Sequence, residues 1–308
     1  MALTRVRWWA VVAFMLVGAG LAKGSAPDGS PYVALDSWIY PALEKLAALG
    51  LVPSQISTLR PWTRAECRRQ AAEAEELMQR VGEIDTGIGA EVWKLLRSLH
   101  AEFDGRGKGA GVVLESVYVR NGVIGGTALN DSFHFGQTWS NDYGRPYGRG
   151  WNSYEGFTAR AESSRWFAYV NGEYQHSPGR DAWPLDVRQE IARLDGTPLQ
   201  SGEAIKTTDR FRLLDSYVGT RVGNVEISVG KQSLWWGPTH DPPFSFSNNA
   251  EPTKNLRIST VHPFQLPGPL AVLGKVRGEF VIGKLGGHTY TWRPWFNAQK
   301  VSLKMTDN

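Results

Sequence analysis

Val225-Glu226-Ile227-Ser228-Val229-Gly230-Lys231-Gln232-Ser233-Leu234-Trp235-Trp236-Gly237-Pro238 is the stretch whose reading decides the fold. Val225, Ile227 and Val229 alternate with Glu226, Ser228 and Gly230, the period of two that marks a strand with two unlike faces. The strand runs directly into a loop dense in Trp, amides and charge, and Phe246-Ser247-Asn248-Asn249-Ala250-Glu251-Pro252 continues that composition. Indole faces can cover the C–H surface of a pyranose, and planar amide or guanidinium groups can take vicinal hydroxyls and carboxylates.

The same alternation begins at Val112 and runs to the end of the chain. Strands are expected over 112–120, 132–139, 155–163, 165–176, 211–221, 224–233, 255–262, 275–285 and 297–306, with another near 122–128. Trp166, Ala168, Val170 and Tyr174 fall on one face, opposite Asn171, Glu173 and Gln175. Val276, Phe280 and Ile282 oppose Arg277 and Glu279, and Val301, Leu303 and Met305 oppose Lys300, Ser302 and Lys304. A soluble sandwich alternates similarly. The 13 Trp, 10 Tyr, 12 Phe and 34 Gly, with long polar loops, suit a transmembrane barrel with aromatic girdles better. In such a barrel Glu173, Glu226, Arg277 and Glu279 point into the lumen, where they are expected to pair as a charge network.

The N-terminus supports export. Arg5 and Arg7 precede an apolar core from Trp8 to Val17, and small residues follow up to Ala22, so residues 1–22 read as a signal peptide. Losing Arg5 and Arg7 lowers the formal charge from +4 to +2, a near-neutral chain that gives no argument for nucleic acid. No later segment is apolar for the 18 residues that a spanning helix needs. The single Cys67 cannot form an internal disulfide.

Residues 27–104 read as a separate helical domain. Ile39, Leu43, Leu46 and Leu49 have helical spacing, with Gly50 placed to end that helix. Thr63-Arg64-Ala65-Glu66 has the form of a capping box, flanked by Trp62 and Cys67 at the positions of a hydrophobic staple. A third helix is expected to carry Ile88, Val92, Leu96, Leu99 and Phe103 on one face. Gly-rich residues 105–111 form a linker, since no Lys-Ser or Lys-Thr completes a phosphate loop there. The barrel then occupies 112–308.

Several segments together resemble the capsule assembly Wzi family: Phe211-Arg212-Leu213-Leu214-Asp215-Ser216-Tyr217-Val218-Gly219, Gly230 to Pro238, Phe246 to Pro252, Val276-Arg277-Gly278-Glu279-Phe280, Gly287-His288 and Gln299-Lys300-Val301-Ser302. The resemblance implies a mainly β fold, a transmembrane antiparallel β-barrel of about 18 strands preceded by a small periplasmic helical plug. Only about half of such a barrel fits in this sequence, so it is expected to be the N-terminal part of a longer protein. It also implies an outer-membrane location and a non-catalytic role, in which capsular or extracellular polysaccharide is attached and organised on the cell surface. The implied partners are that polysaccharide, outer-membrane lipid and the export machinery, with no nucleic acid. Leu35 to Leu43 and Arg60 to Glu66 also look like an S-layer homology module, which would bind a cell-wall polymer. The plug is preferred because one copy is present.

The polysaccharide-binding candidates are Lys231, Gln232, Trp235, Trp236, Asn248, Asn249 and Glu251 in one loop, and Tyr143, Arg145, Tyr147, Arg149 and Trp151 in another. Against this, the Trp pair can belong to an interfacial aromatic belt, and the Asn pair can order a turn. A sugar porin or export channel is the alternative function. A hydrolase built on His240, Asp241 and Ser245 or Ser247 is disfavoured, because three prolines constrain that loop and no nucleophile elbow is present. No metal-ligand spacing and no cofactor motif is found.

Overall fold

The computed structural model describes residues 29–81, 87–104, 111–126, 142–196, 198–237, 243–286 and 292–305. The signal peptide, the strand expected at 132–139, His240, Asp241, Gly287-His288 and all of the linker but Gly111 lie outside the described residues.

The alternating segments form one antiparallel sheet. Its strands are β2 (Gly111–Ile124), β3 (Gly150–Ser163), β4 (Trp166–Ser177), β5 (Thr208–Val222), β6 (Val225–Gln232), β8 (Thr253–Thr260), β10 (Lys275–Lys284) and β11 (Trp295–Lys304). Each pairs with the next in that order, the short β9 (Phe264–Gln265) pairs in addition with β10, and β2 and β11 are the open edges among the described residues. The segment read as 112–120 and the start of the one read as 122–128 are one continuous strand, β2, which ends at Ile124. Bulges at Glu115 in β2 and at Leu214-Asp215 in β5 add a residue to one strand, and Leu214 and Asp215 are both buried as a result.

The burial of this sheet is inverted relative to a soluble protein. One face buries Arg160, Glu173, Gln175, Glu226, Ser228, Arg257, Arg277 and Glu279. The other exposes Val117, Val119, Phe157, Val218, Ile227, Val229 and Val301, with Trp151 and Trp166 near opposite ends of β3 and β4. A soluble antiparallel sheet buries its apolar face and wets its polar one. The arrangement found here suits a sheet whose outer surface meets hydrocarbon and whose inner surface is polar.

The two sheet ends also differ. Two-residue turns, Ser164-Arg165 and Gly223-Asn224, and the longer connection 261–274 join strands at one end, and β2 leaves the helical region from that end. At the other end lie the long connections 125–149, 178–207, 233–252 and 285–294. The connection 178–207 holds a helix that the strand pattern concealed, with Pro184 before it and Gly196 after it at φ +61°.

The helical region comprises α1 (Ile39–Ala48), α2 (Arg64–Val81) and α3 (Gly87–Asp104), and the helix in connection 178–207 is α4 (Leu185–Asp195). Ile39, Leu43 and Leu46 share a core with Val92, Leu96, Leu99 and Phe103, and Trp62 and Cys67 join it as a staple would. Leu49 and Ile88, expected on those apolar faces, are exposed at the helix ends. The capping box is half formed. The Glu66 amide donates to Thr63 Oγ1 at 3.0 Å, but the Glu66 carboxylate turns to Arg69, Gln70 and His262 instead of back to Thr63. Thr63 stands opposite Tyr32 in a bridge made by its neighbours: the Val33 amide donates to the Trp62 carbonyl at 2.8 Å and the Arg64 amide to the Pro31 carbonyl at 3.0 Å.

The helical region meets the polar face of the sheet along two extended segments. The Gly29 amide donates to the Ser164 carbonyl at 2.7 Å, and the Tyr32 amide donates to the Tyr217 hydroxyl at 2.9 Å. Further along, β1 (Leu59–Arg60) pairs antiparallel with β7 (Trp235–Trp236). β1 is thus held against a loop that descends from the long-connection end.

Candidate functional site

The two loops singled out by their composition meet at the long-connection end. The Tyr143 amide donates to the Asn248 carbonyl at 2.6 Å. A Cβ on Gly144 would lie 3.3 Å from the Glu251 amide nitrogen, so the backbones pack closely and only glycine leaves this room. Tyr143 and Gly144 both have positive φ, +56° and +60°; for Tyr this conformation is strained, by about 1–2 kcal/mol. The tyrosine is held there because its ring is buried, its amide donates to the Asn248 carbonyl, and the Arg145 amide closes the turn on the Asp142 carbonyl.

Beneath the joined loops lies a charge cluster. Arg145 donates through Nε to Glu173 Oε1 at 2.8 Å, through Nη2 to Glu173 Oε2 at 2.6 Å, and through Nη1 to Asp142 Oδ1 at 2.6 Å. Asp142 also accepts from Arg120 at 2.9 Å and from the Tyr147 hydroxyl at 2.8 Å. Glu173 accepts in addition from the Tyr118 hydroxyl and from Gln175. At the rim Glu251 is clamped between Arg212 and Lys231.

The candidates therefore separate by position. Tyr143, Arg145, Tyr147, Gln232 and Asn248 are buried and order the loops; Gln232, for instance, accepts from Ser228 at 2.7 Å and donates to Asn255 at 3.1 Å. Arg149, Asn249 and Glu251 are exposed. Trp151 is exposed on the apolar face of β3, on the side of Phe157, and its ring lies 5.1 Å from that of His176. That is a girdle position rather than a loop-tip one.

Trp235 and Trp236 are placed differently from the sugar-stacking reading. They are only 5% and 6% exposed, because β7 is sandwiched between β1 and the polar face of the sheet. The Trp236 indole N–H donates to Glu279 at 2.6 Å, and its ring meets Phe246 edge-on at 5.0 Å. Neither indole presents a free face. Sequence reasoning passed over Phe244, which is 90% exposed beside them. Its amide and that of Ser245 both donate to the Trp236 carbonyl, so the backbone is anchored while the ring stays free. A large aromatic directly after a Pro pair, where the chain cannot tuck it into a strand, is the signal that would have found it.

A second cluster joins the helical region to the sheet. Glu279 pairs with Arg257, which lies 4.1 Å from the Tyr32 ring centre and donates to the Pro61 carbonyl at 3.3 Å. Arg277 donates to the Leu59 and Thr260 carbonyls. Glu66, at the start of α2, accepts from Arg69 at 2.8 and 2.9 Å and lies 2.6 Å from His262 Nδ1. Burial alone would raise the Glu66 carboxyl, but the hydrogen bonds and charge of Arg69 and His262 overcome it and lower it to about 2. A carboxyl depressed in the folded state stabilises above its unfolded value and loses that contribution as pH falls towards the folded value. The attachment of α2 to the 261–263 loop should accordingly weaken between pH 4.5 and about 2, by about 3 kcal/mol for Glu66 alone. Thermal unfolding at pH 5 and pH 3 checks this: the wild-type loss should shrink in Glu66→Gln, and an equal loss in both would refute the assignment.

The family described as capsule assembly protein Wzi matches residues 119–308. No curated protein matches the chain. Among solved structures the fold is similar to that of Wzi from Escherichia coli, described as an outer-membrane protein involved in group 1 capsule assembly and a carbohydrate-binding β-barrel. The TM-score is 0.58 at 14% identity, over 91% of this chain and 51% of that one. The chain thus spans about half the length of the solved structure.

Proposed function

This chain belongs to the Wzi family of capsule assembly proteins, and on that premise we propose that it forms part of an outer-membrane β-barrel that retains capsular or extracellular polysaccharide at the cell surface. The observation that carries the reading is the inverted sheet, polar where buried and aliphatic where exposed, with two of its long loops tied together at one end. In outer-membrane barrels short turns face the periplasm and long loops face outward. On that rule the Tyr143–Asn248 junction faces the medium, and the helical region, which enters β2 from the short-turn end, lies in the periplasm as a plug.

The contact surface for the polymer is the exposed part of the joined loops: Arg149, Asn249, Glu251 and the free ring of Phe244. Each contact is weak, and a repeating polymer sums them. The role is non-catalytic, with lipid surrounding the barrel and the export machinery as a further partner. A porin reading is disfavoured because β1 and β7 pair across the polar face and occupy the space that a channel would need.

The test is binding of the complete folded protein to polysaccharide isolated from its own organism. Phe244→Ala with Arg149→Ala should weaken it by about tenfold or more, whereas unchanged binding would remove these loops from the site. Steady ion conductance of the wild type would favour the channel instead. The lipid-facing assignment has its own check. Val218→Arg, on the exposed face of β5, should cost about 2–4 kcal/mol in a bilayer, against less than about 0.5 for a soluble surface position. Unfolding of the wild type and variant in lipid measures the difference.

A further inference from the structure

Resting on the barrel reading above, we propose that the outer surface of β6, β8 and β10 carries a binding site for a phosphorylated glycolipid headgroup of the outer leaflet. Lys231, Lys254 and Lys284 stand directly opposite one another across three neighbouring strands, with Lys231 paired to Lys254 and Lys254 to Lys284. Trp295 of β11 continues the row opposite Lys284, whose ammonium lies 5.9 Å from the indole centre. Two residues further into the strands, on the same face, Val229 pairs with Leu256 and Leu256 with Ile282. A row of cations thus caps a row of aliphatic side chains, at the level where long loops begin.

Like charges directly opposite in a sheet destabilise it. Lys231 is compensated by Glu251, but no carboxylate pairs with Lys254 or Lys284 among the described residues, and both are exposed. Arg293, stacked on Trp292 at 4.8 Å, adds a cation just before β11. An anion is therefore the missing partner. Its chemistry follows from where the row points. Lys254 and Lys284 project from the face that exposes Val229, whereas the Lys231 ammonium turns back to Glu251 and the Leu213 carbonyl, so a ligand there has its charge beside Lys254 and Lys284 and its remainder against Val229, Leu256 and Ile282. A sugar phosphate bearing acyl chains meets both demands. A hydrated polymer meets only the first.

The experiment uses the complete protein in phosphatidylcholine nanodiscs and titrates diphosphoryl lipid A against its dephosphorylated form. The diphosphoryl form should bind at least tenfold more tightly. Lys254→Gln should weaken it about fivefold, and Lys254→Gln with Lys284→Gln about 25-fold, while arginine at both positions should retain it. Equal binding of the two lipids, or no change in the double variant, overturns the site. Competition by inorganic phosphate at the same concentration as lipid A would reduce it to a general anion site. Loss of capsular polysaccharide binding in the double variant, with lipid A binding intact, would assign the lysines to the polymer. Failure of the wild type to insert into lipid overturns the barrel reading together with this site, whereas insertion without a preference for phosphate overturns this site alone.

Discussion

Glu279→Ala should destabilise the folded chain by about 3–5 kcal/mol, the range expected when one member of a buried ion pair is removed. Glu279 is almost fully buried and has three ties: Arg257 Nε at 2.7 Å, the Arg257 Nη2 group, and the Trp236 indole at 2.6 Å. Deleting the carboxylate leaves a guanidinium with no exposure and without its hydrogen-bonded partner, and an indole N–H without its acceptor. Because Arg257 also touches Tyr32 and Pro61, and Trp236 pairs with Leu59, the loss spreads from β10 to the helical region and to the loop at the long-connection end. Chemical unfolding followed by Trp fluorescence would measure it, with Trp236 itself reporting loop release. Arg257→Met combined with Glu279→Leu should recover much of the loss, since two apolar side chains leave no charge uncompensated. A single variant within about 0.5 kcal/mol of wild type would show that the pair does not hold these parts together.

The importance of Glu279 was half visible in the sequence. The period of two placed Glu173, Glu226, Arg277 and Glu279 on the faces where the structure buries them, because side-chain direction in a strand is set by parity and needs no tertiary information. Parity could not name their partners. Arg257 opposes Glu279 only through the register of β8 on β10, and Arg145 reaches Glu173 only because its loop folds back. The same limit explains Trp235 and Trp236. Their composition suggested an exposed sugar platform, yet β1 lies 175 residues earlier in the sequence and covers them by strand pairing that no local pattern announces. Helix α4 was missed for the opposite reason: its capping signals, Pro184 and Gly196, were present but overshadowed by the surrounding strand pattern. Composition singled out two loops far apart in sequence, and the structure ties them together through Tyr143 and Asn248, a contact that no local pattern announces.

Arg145→Met tests what that contact is for. The Arg145 guanidinium bridges Asp142 of its own loop to Glu173 of β4, and Glu173 is wholly buried. Its removal should cost about 3–5 kcal/mol locally, since the Glu173 carboxylate would keep only the neutral Tyr118 and Gln175 donors. The loop should then part from β4, releasing Tyr143 from its strained turn and from the Asn248 carbonyl. Protease cleavage within 142–149 should rise, and polysaccharide binding should fall by tenfold or more even though Arg145 itself is buried. Adding Glu173→Gln should restore part of both, because it removes the stranded charge without rebuilding the bidentate pair. Arg149→Ala supplies the contrast: an exposed side chain beside the same loop, whose loss should weaken binding while protease resistance stays at the wild-type level. If Arg145→Met leaves binding intact while the loop becomes cleavable, the polymer is held elsewhere on the rim. If both variants lose binding but only Arg145→Met loses protection, the buried cluster orders the surface and the exposed side chains make the contact.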